Sequence, residues 1–156
     1  MNKLLTSIHS QQKDFFASKK TQIIRDRKAV LKKLKSVLRN RTSEIESALA
    51  LDLGKSASES YLTEIGMVLS EIDYFLRNLS HLAKPTSVTS SWINFPSKDY
   101  IVPEPYGLTL HIAPWNYPFQ LSLTPLVGAI AAGNTVVLKP SEQAWDLTVL
   151  CEHRQE

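Results

Sequence analysis

The segment between Gly107 and Leu138 constrains this chain more than any other, because it reads as strand, helix and strand within the length of one βαβ unit. Leu108-Thr109-Leu110-His111-Ile112 alternates with the period of a strand that has two unlike faces. Phe119 to Ala132 can form a helix, with a kink expected at Pro125 and a stop at Gly133. Asn134-Thr135-Val136-Val137-Leu138 then reads as a buried strand. Two strands joined through a helix pair in parallel, and a parallel sheet needs cover on both faces. The predicted class is therefore α/β, with the rest of the chain supplying a covering layer. A single such unit also leaves an open strand edge. No G-x-G-x-x-G occurs in the sequence, so Gly133 is read as a helix stop rather than as a phosphate cradle.

The covering layer is legible upstream. From about Gln11 to Asn40, Ile23, Ile24, Val30, Leu31, Leu34, Val37 and Leu38 recur at three- and four-residue steps, which predicts a helix with one buried face. Ser43-Glu44-Ile45-Glu46 reads as a capping box opening a short helix that stops at Gly54. Ser56-Ala57-Ser58-Glu59 is a second box. It opens a helix with Tyr61, Leu62, Ile65, Val68, Leu69, Ile72, Phe75, Leu76 and Leu79 on one stripe, ended by Lys84-Pro85. Beyond Pro85, Val88 to Ile93 and Asp99 to Val102 suit short extended segments or edge strands, flanked by Pro96, Pro103 and Pro105. The expected division is a helical region at 1–84, an extended segment at 85–106, a strand-helix-strand unit at 107–142 and a tail at 143–156.

Composition excludes several function classes. Cys151 is the one cysteine, so an internal disulfide or a cysteine-based metal cluster is ruled out. His9, His81 and His111 have no partners at metal-ligand spacing, and no metal site is expected. The first residues carry no apolar run of signal-peptide length, and Leu126 to Leu138 is too short and too broken to span a bilayer. The expectation is a cytoplasmic protein without a membrane partner. Eleven of the 18 Lys and Arg lie between Lys13 and Arg41. They fill the face opposite an apolar stripe and lack an aromatic platform, which reads as a solvated helix face, not a nucleic-acid surface.

Three blocks then carry a resemblance: Glu104-Pro105-Tyr106-Gly107, Ile112-Ala113-Pro114-Trp115-Asn116-Tyr117-Pro118-Phe119, and Ala131-Ala132-Gly133-Asn134 through Leu138-Lys139-Pro140-Ser141-Glu142. In order and separation they resemble the aldehyde dehydrogenase superfamily. Tyr117 in the Trp-Asn-Tyr-Pro block is similar to the class 3 branch, and Asp52-Leu53-Gly54-Lys55 with Glu59 and Glu64 fits the same family's N-terminal helices. The resemblance implies a helical N-terminal layer plus the first strand-helix-strand part of a Rossmann-like NAD-binding domain, and NAD(P)-dependent oxidation of small-molecule aldehydes to carboxylic acids. It implies that Asn116 donates to the aldehyde oxygen, where the residue pattern alone also allows an Asx turn. It assigns Ile112, Ala113, Pro114 and Trp115 to a wall against the cofactor. Lys139, Ser141 and Glu142 fall at its adenosine end, with Lys139 donating to and Glu142 accepting from ribose hydroxyls. A carboxylate at Glu142 would repel a 2′-phosphate, which favours NAD, with NADP possible.

The motif resemblance runs from about Gln11 to Glu142, and Gln143 to Glu156 does not continue it. In such enzymes a proline and an amphipathic helix follow. The general-base glutamate and the catalytic cysteine, in an F-x-x-x-G-Q-x-C context, would fall beyond residue 156. Cys151, in Val-Leu-Cys-Glu-His, has none of that context and is not expected to be the nucleophile. A frameshift or premature stop is the simplest explanation, and the chain alone is expected to be truncated and inactive. The alternative is a non-catalytic module that pairs with a full-length relative, as a homo- or hetero-oligomer, through its open strand edge.

Overall fold

The computed structural model describes residues 3–152. In chain order its elements are helices α1 (Lys3–Ala17), α2 (Ile24–Asn40) and α3 (Thr42–Leu53). One turn follows, α4 (Ala57–Ser60), then a π-helical segment (Tyr61–Ile65) running into α5 (Gly66–Leu82). Strands β1 (Thr86–Val88), β2 (Asp99–Ile101) and β3 (Leu108–Ile112) come next, followed by α6 (Pro118–Ala132), β4 (Thr135–Lys139) and α7 (Trp145–Glu152). Among the described residues no helix is long and apolar enough to cross a membrane.

β3 and β4 pair in parallel, with Leu108 opposite Thr135 and Ile112 opposite Lys139, as the βαβ reading requires. Gly107 and Asn134 staple the start of the pair. The Gly107 amide donates to the Asn134 side-chain oxygen at 2.9 Å, and the Thr135 amide donates to the Gly107 carbonyl at 2.9 Å. Thr135 and Leu138, three apart on one strand, point to opposite faces. Thr135 meets the carbonyl of Gln12 in α1, and Leu138 packs on the core that α6 contributes to. The pair is thus covered by α1 on one side and α6 on the other. α6 is one helix through Pro125, and Gly133 ends it at φ +92°, where a side chain would also collide with the Arg27 guanidinium.

The core runs through the helical layer into α6. Leu31, Leu49, Ile65, Val68, Ile72 and Val127 are the largest of its fully buried apolar side chains. Burying side chains of this size stabilises by roughly 1.5–3 kcal/mol each.

Four local expectations differ from what is observed. The helix expected across Gln11 to Asn40 is two, broken at Lys19, which takes a left-handed φ of 59°. Upstream of Ile24 the in-phase positions are Lys20, Ala17 and Lys13, all exposed, so no large apolar side chain holds a single rod against the core. The Ser43 capping box does not form, because α3 starts at Thr42 and the Ile45 amide already donates to the Arg41 carbonyl at 3.0 Å. The Ser56 box does form its forward bond: the Glu59 amide donates to Ser56 Oγ at 3.2 Å. The extended segment after Pro85 is shorter than expected: the Asp99 backbone amide donates to Ser90 Oγ at 3.0 Å and Trp92–Asn94 coils into a 3₁₀ turn.

The fourth difference matters most. Tyr61 and Leu62 are exposed, and Ser60 and Glu64 are buried in their place. The Gly66 amide donates to the Tyr61 carbonyl, an i→i+5 bond that takes one extra residue per turn and shifts the helical phase upstream of Ile65. Glycine permits this. A Cβ on residue 66 would lie 2.9 Å from the Tyr61 carbonyl oxygen.

Candidate active site

The carboxyl ends of β3 and β4 lie side by side, the edge at which open α/β sheets bind ligands. The Ala113 amide donates to the Lys139 carbonyl at 3.0 Å and extends the ladder one residue beyond β3. The chain then turns through Pro114, Trp115, Asn116 and Tyr117 into α6, whose first residue is Pro118. Ala113 is buried, whereas Pro114, Trp115 and Asn116 are exposed. Ile112 pairs with Lys139, so their side chains share a face. Ile112 is 68% exposed there, a bare apolar surface beside a cation.

At the end of β4, Lys139 Nζ lies 2.7 Å from Glu142 Oε1, and both side chains are largely in solvent. The hydrogen bond from Lys139, and then its charge, hold the Glu142 carboxyl below the usual glutamate range. Ser141 is different. It is buried, its Oγ accepts from the Gln143 amide at 3.3 Å, and its carbonyl accepts from the Ala144 amide at 3.2 Å. It shapes the turn that sends Glu142 outward. The side chain of Cys151 lies outside the described residues.

The residues that hold this edge in place were not assigned roles from the sequence. Glu64, fully buried, accepts from the Phe119 amide at 2.8 Å and from the Gln120 amide at 3.2 Å through Oε2, and its Oε1 receives the Lys55 ammonium. A carboxylate 55 residues away thus serves the free amides of α6, whose own N-cap, Tyr117, offers no side-chain bond. Lys55 also donates to the Asn116 carbonyl at 3.4 Å and stands 4.2 Å from the centre of the Tyr117 ring. At the other end of α6, Arg27 donates to the carbonyls of Ala131 at 3.1 Å, Thr21 at 2.6 Å and Gln22 at 2.7 Å. Opposite charges therefore sit at the two ends of α6 in the sense its dipole favours. One sequence signal could have exposed Glu64: a glycine at 66, in the interior of a long helical pattern.

Comparison with known proteins decides the family. The family model described as the aldehyde dehydrogenase family matches residues 6–152. The chain belongs to the aldehyde dehydrogenase family. The match runs ten residues past Glu142, where the motif resemblance was expected to stop, and it includes α7. That helix is seated by Asp52, whose two carboxylate oxygens accept from the Asp146 and Leu147 amides, each at 3.1 Å. Among curated relatives, the 4,4'-diaponeurosporen-aldehyde dehydrogenase of Staphylococcus aureus is 48% identical over 130 residues, covering 83% of this chain and 28% of the relative. Aldehyde dehydrogenase family 3 member B1 of Rattus norvegicus is 46% identical, covering 85% and 28% respectively. This chain thus spans a little over a quarter of the length of these relatives. A solved structure of a Staphylococcus aureus AldH in a substrate-bound state superposes with a TM-score of 0.93 at 43% identity, over 97% of this chain and 33% of that one. A glyceraldehyde-3-phosphate dehydrogenase from Methanocaldococcus jannaschii, complexed with NADP, shares the fold with a TM-score of 0.78 at 21% identity, over 90% of this chain and 30% of that one.

Proposed function

We propose that this chain carries the aldehyde-facing and adenosine-facing residues of an NAD(P)-dependent aldehyde dehydrogenase, an oxidoreductase that converts aldehydes to carboxylic acids. The observation that carries this reading is the Ile112–Lys139 register, which brings the Asn116 loop and the Lys139–Glu142 pair together at one sheet edge. The residues present fit a dinucleotide. Lys139 and Glu142 offer a donor and an acceptor side by side in solvent, able to exchange their mutual contact for two ribose hydroxyls. Ile112, Pro114 and Trp115 supply exposed apolar surface beside them. The Glu142 carboxylate disfavours a 2′-phosphate, so NAD is the preferred cofactor and NADP the alternative. When bound, the nicotinamide accepts the hydride that leaves the aldehyde carbon.

Asn116 donates its side-chain amide to the aldehyde oxygen as negative charge gathers there, a contribution of about 3 kcal/mol in comparable sites. The reaction also needs a thiolate and a base for deacylation. We assign neither to residues 1–156. Cys151 stands in Val-Leu-Cys-Glu-His, without the F-x-x-x-G-Q-x-C context expected of the nucleophile. The isolated 156-residue chain is therefore expected to bind NAD weakly and to leave aldehydes unoxidised.

The test joins residues 6–152 to the remainder of the Staphylococcus aureus relative and follows NADH formation with a panel of aliphatic and aromatic aldehydes. The chimera should turn over and the isolated chain should not. Asn116→Ala in the chimera should lower kcat by roughly 10²–10³-fold, and Glu142→Ala should raise KM for NAD. Turnover by the isolated chain, abolished by both Cys151→Ala and Asn116→Ala, would overturn the division of labour. A second reading rests on the exposed apolar residues Leu110 and Ile112 of β3. In that reading the chain is a non-catalytic module pairing with a full-length dehydrogenase, and it would co-purify with one.

A further inference from the structure

The geometry points to Lys55 as the positioning residue for Asn116. We propose that the Lys55 ammonium, fixed by the buried Glu64 carboxylate, holds the Asn116 peptide and so sets the direction in which the Asn116 amide projects. This rests on the reading of Asn116 as the donor to the aldehyde oxygen.

The chain of causes starts in sequence. Gly66 admits the wide turn that closes on the Tyr61 carbonyl, and the shifted phase turns Glu64 into the core instead of toward solvent. There one carboxylate oxygen takes the Phe119 and Gln120 amides and the other takes Lys55. Lys55 is itself 9% exposed, supplied by the turn after Gly54, whose left-handed φ of 68° ends α3. An ammonium has three donors. One goes to Glu64, one reaches the Asn116 carbonyl at 3.4 Å, and the charge faces the Tyr117 ring at 4.2 Å. Both sides of the turn are thereby tied to one buried ion pair, the Asn116 peptide through Lys55 and the first turn of α6 through Glu64. The exposed four-residue turn from Pro114 to Tyr117 would otherwise have few anchors. A hydrogen-bond donor held before the reaction is worth more than one that must be ordered during it, because no reorganisation accompanies charge development.

Glu64 serves two masters, and this allows the positioning role to be separated from general stability. Lys55→Met together with Glu64→Gln removes the charges and the contact to Asn116 but leaves an oxygen for the Phe119 and Gln120 amides. The experiment is ¹⁵N relaxation on the full chain with each variant. In the unsubstituted chain, the Lys55 ε-methylene protons should be shifted upfield by the Tyr117 ring, and its ammonium protons should exchange slowly. The backbone order parameters of Asn116 and Tyr117 should be in the rigid range, about 0.85, and fall below about 0.6 in the double variant. Those of Phe119 and Gln120 should stay rigid. If Lys55→Met alone unfolds the chain, the double variant and the unsubstituted spectrum still decide the matter. Ordinary lysine shifts and fast ammonium exchange in the unsubstituted chain would overturn the proposal. So would a lowered Tm with an unchanged order parameter at Asn116, the signature of a merely structural pair. These readouts concern where Asn116 is held and not what it does. They can fail while Asn116→Ala still cripples the chimera, and the reverse outcome is equally distinguishable.

Discussion

Two lysine–glutamate pairs flank the same turn, and they behave as opposites. Lys139 and Glu142 are three residues apart, with side chains 49% and 84% exposed. Lys55 and Glu64 have side chains 9% and 0% exposed, and each has further partners in the backbone around Asn116 and α6. An exposed pair gains little from its own Coulomb attraction, which solvent screens and side-chain entropy opposes. Such a pair gives up its contact readily when a ligand offers hydroxyls. A buried pair is bound to its neighbours by the cost of leaving either charge alone. The comparison therefore separates a pair free to trade its contact for another from a pair that holds the protein still.

The largest expected effect breaks the buried pair. Lys55→Met leaves the Glu64 carboxylate without a countercharge and should lower unfolding free energy by about 3–5 kcal/mol in a denaturant titration. Adding Glu64→Gln should recover much of that loss. If the single and double variants were equally destabilised, the loss would come from packing and the contrast between the pairs would collapse. Gly66→Ala tests the turn that aims Glu64 inward. Its Cβ would press on the Tyr61 carbonyl oxygen, and a loss of roughly 1–3 kcal/mol is expected. A neutral or stabilising result would mean that the turn can relax to an ordinary helix. Ser56→Ala removes the cap of α4 and should cost about 1 kcal/mol, a measure of what a local cap contributes beside the remote one from Glu64.

The smallest effect on folding belongs to the exposed pair. Lys139→Met should leave the unfolding midpoint where it is and let the Glu142 pKa rise toward the ordinary 4.5. The sign follows from the depressed pKa. The favourable pairing is present above the ordinary glutamate pKa and is lost as pH falls through the lowered folded one. Carboxyl-carbon NMR titration of Glu142 reads this directly. An unchanged titration would show that Lys139 and Glu142 are not paired in solution.

The sequence by itself determined the parallel βαβ unit, because alternation at Leu108 to Ile112, an apolar strand after Gly133 (half-buried along most of its length) and a helix between them admit one kind of pairing. It also determined the Gly54 stop and the Ser56 cap, which depend on residues within one turn of each other. The motif around Asn116 identified the family, and its place at the sheet edge follows from the end of β3. Only the tertiary structure decided which polar residues are buried. Glu64 sits in a helix where strict periodicity puts Tyr61 and Leu62 inside, and one i→i+5 bond reverses the two faces. Arg27 belongs to the most basic stretch of the chain and reads there as solvated, yet it spans to the Ala131 carbonyl, 104 residues away. The physical reason is the same in both cases. Amphipathic periodicity reports the average direction of a helix face, while a free amide or carbonyl at a helix end creates a demand for charge that is visible only once α6 is laid against α2 and α5.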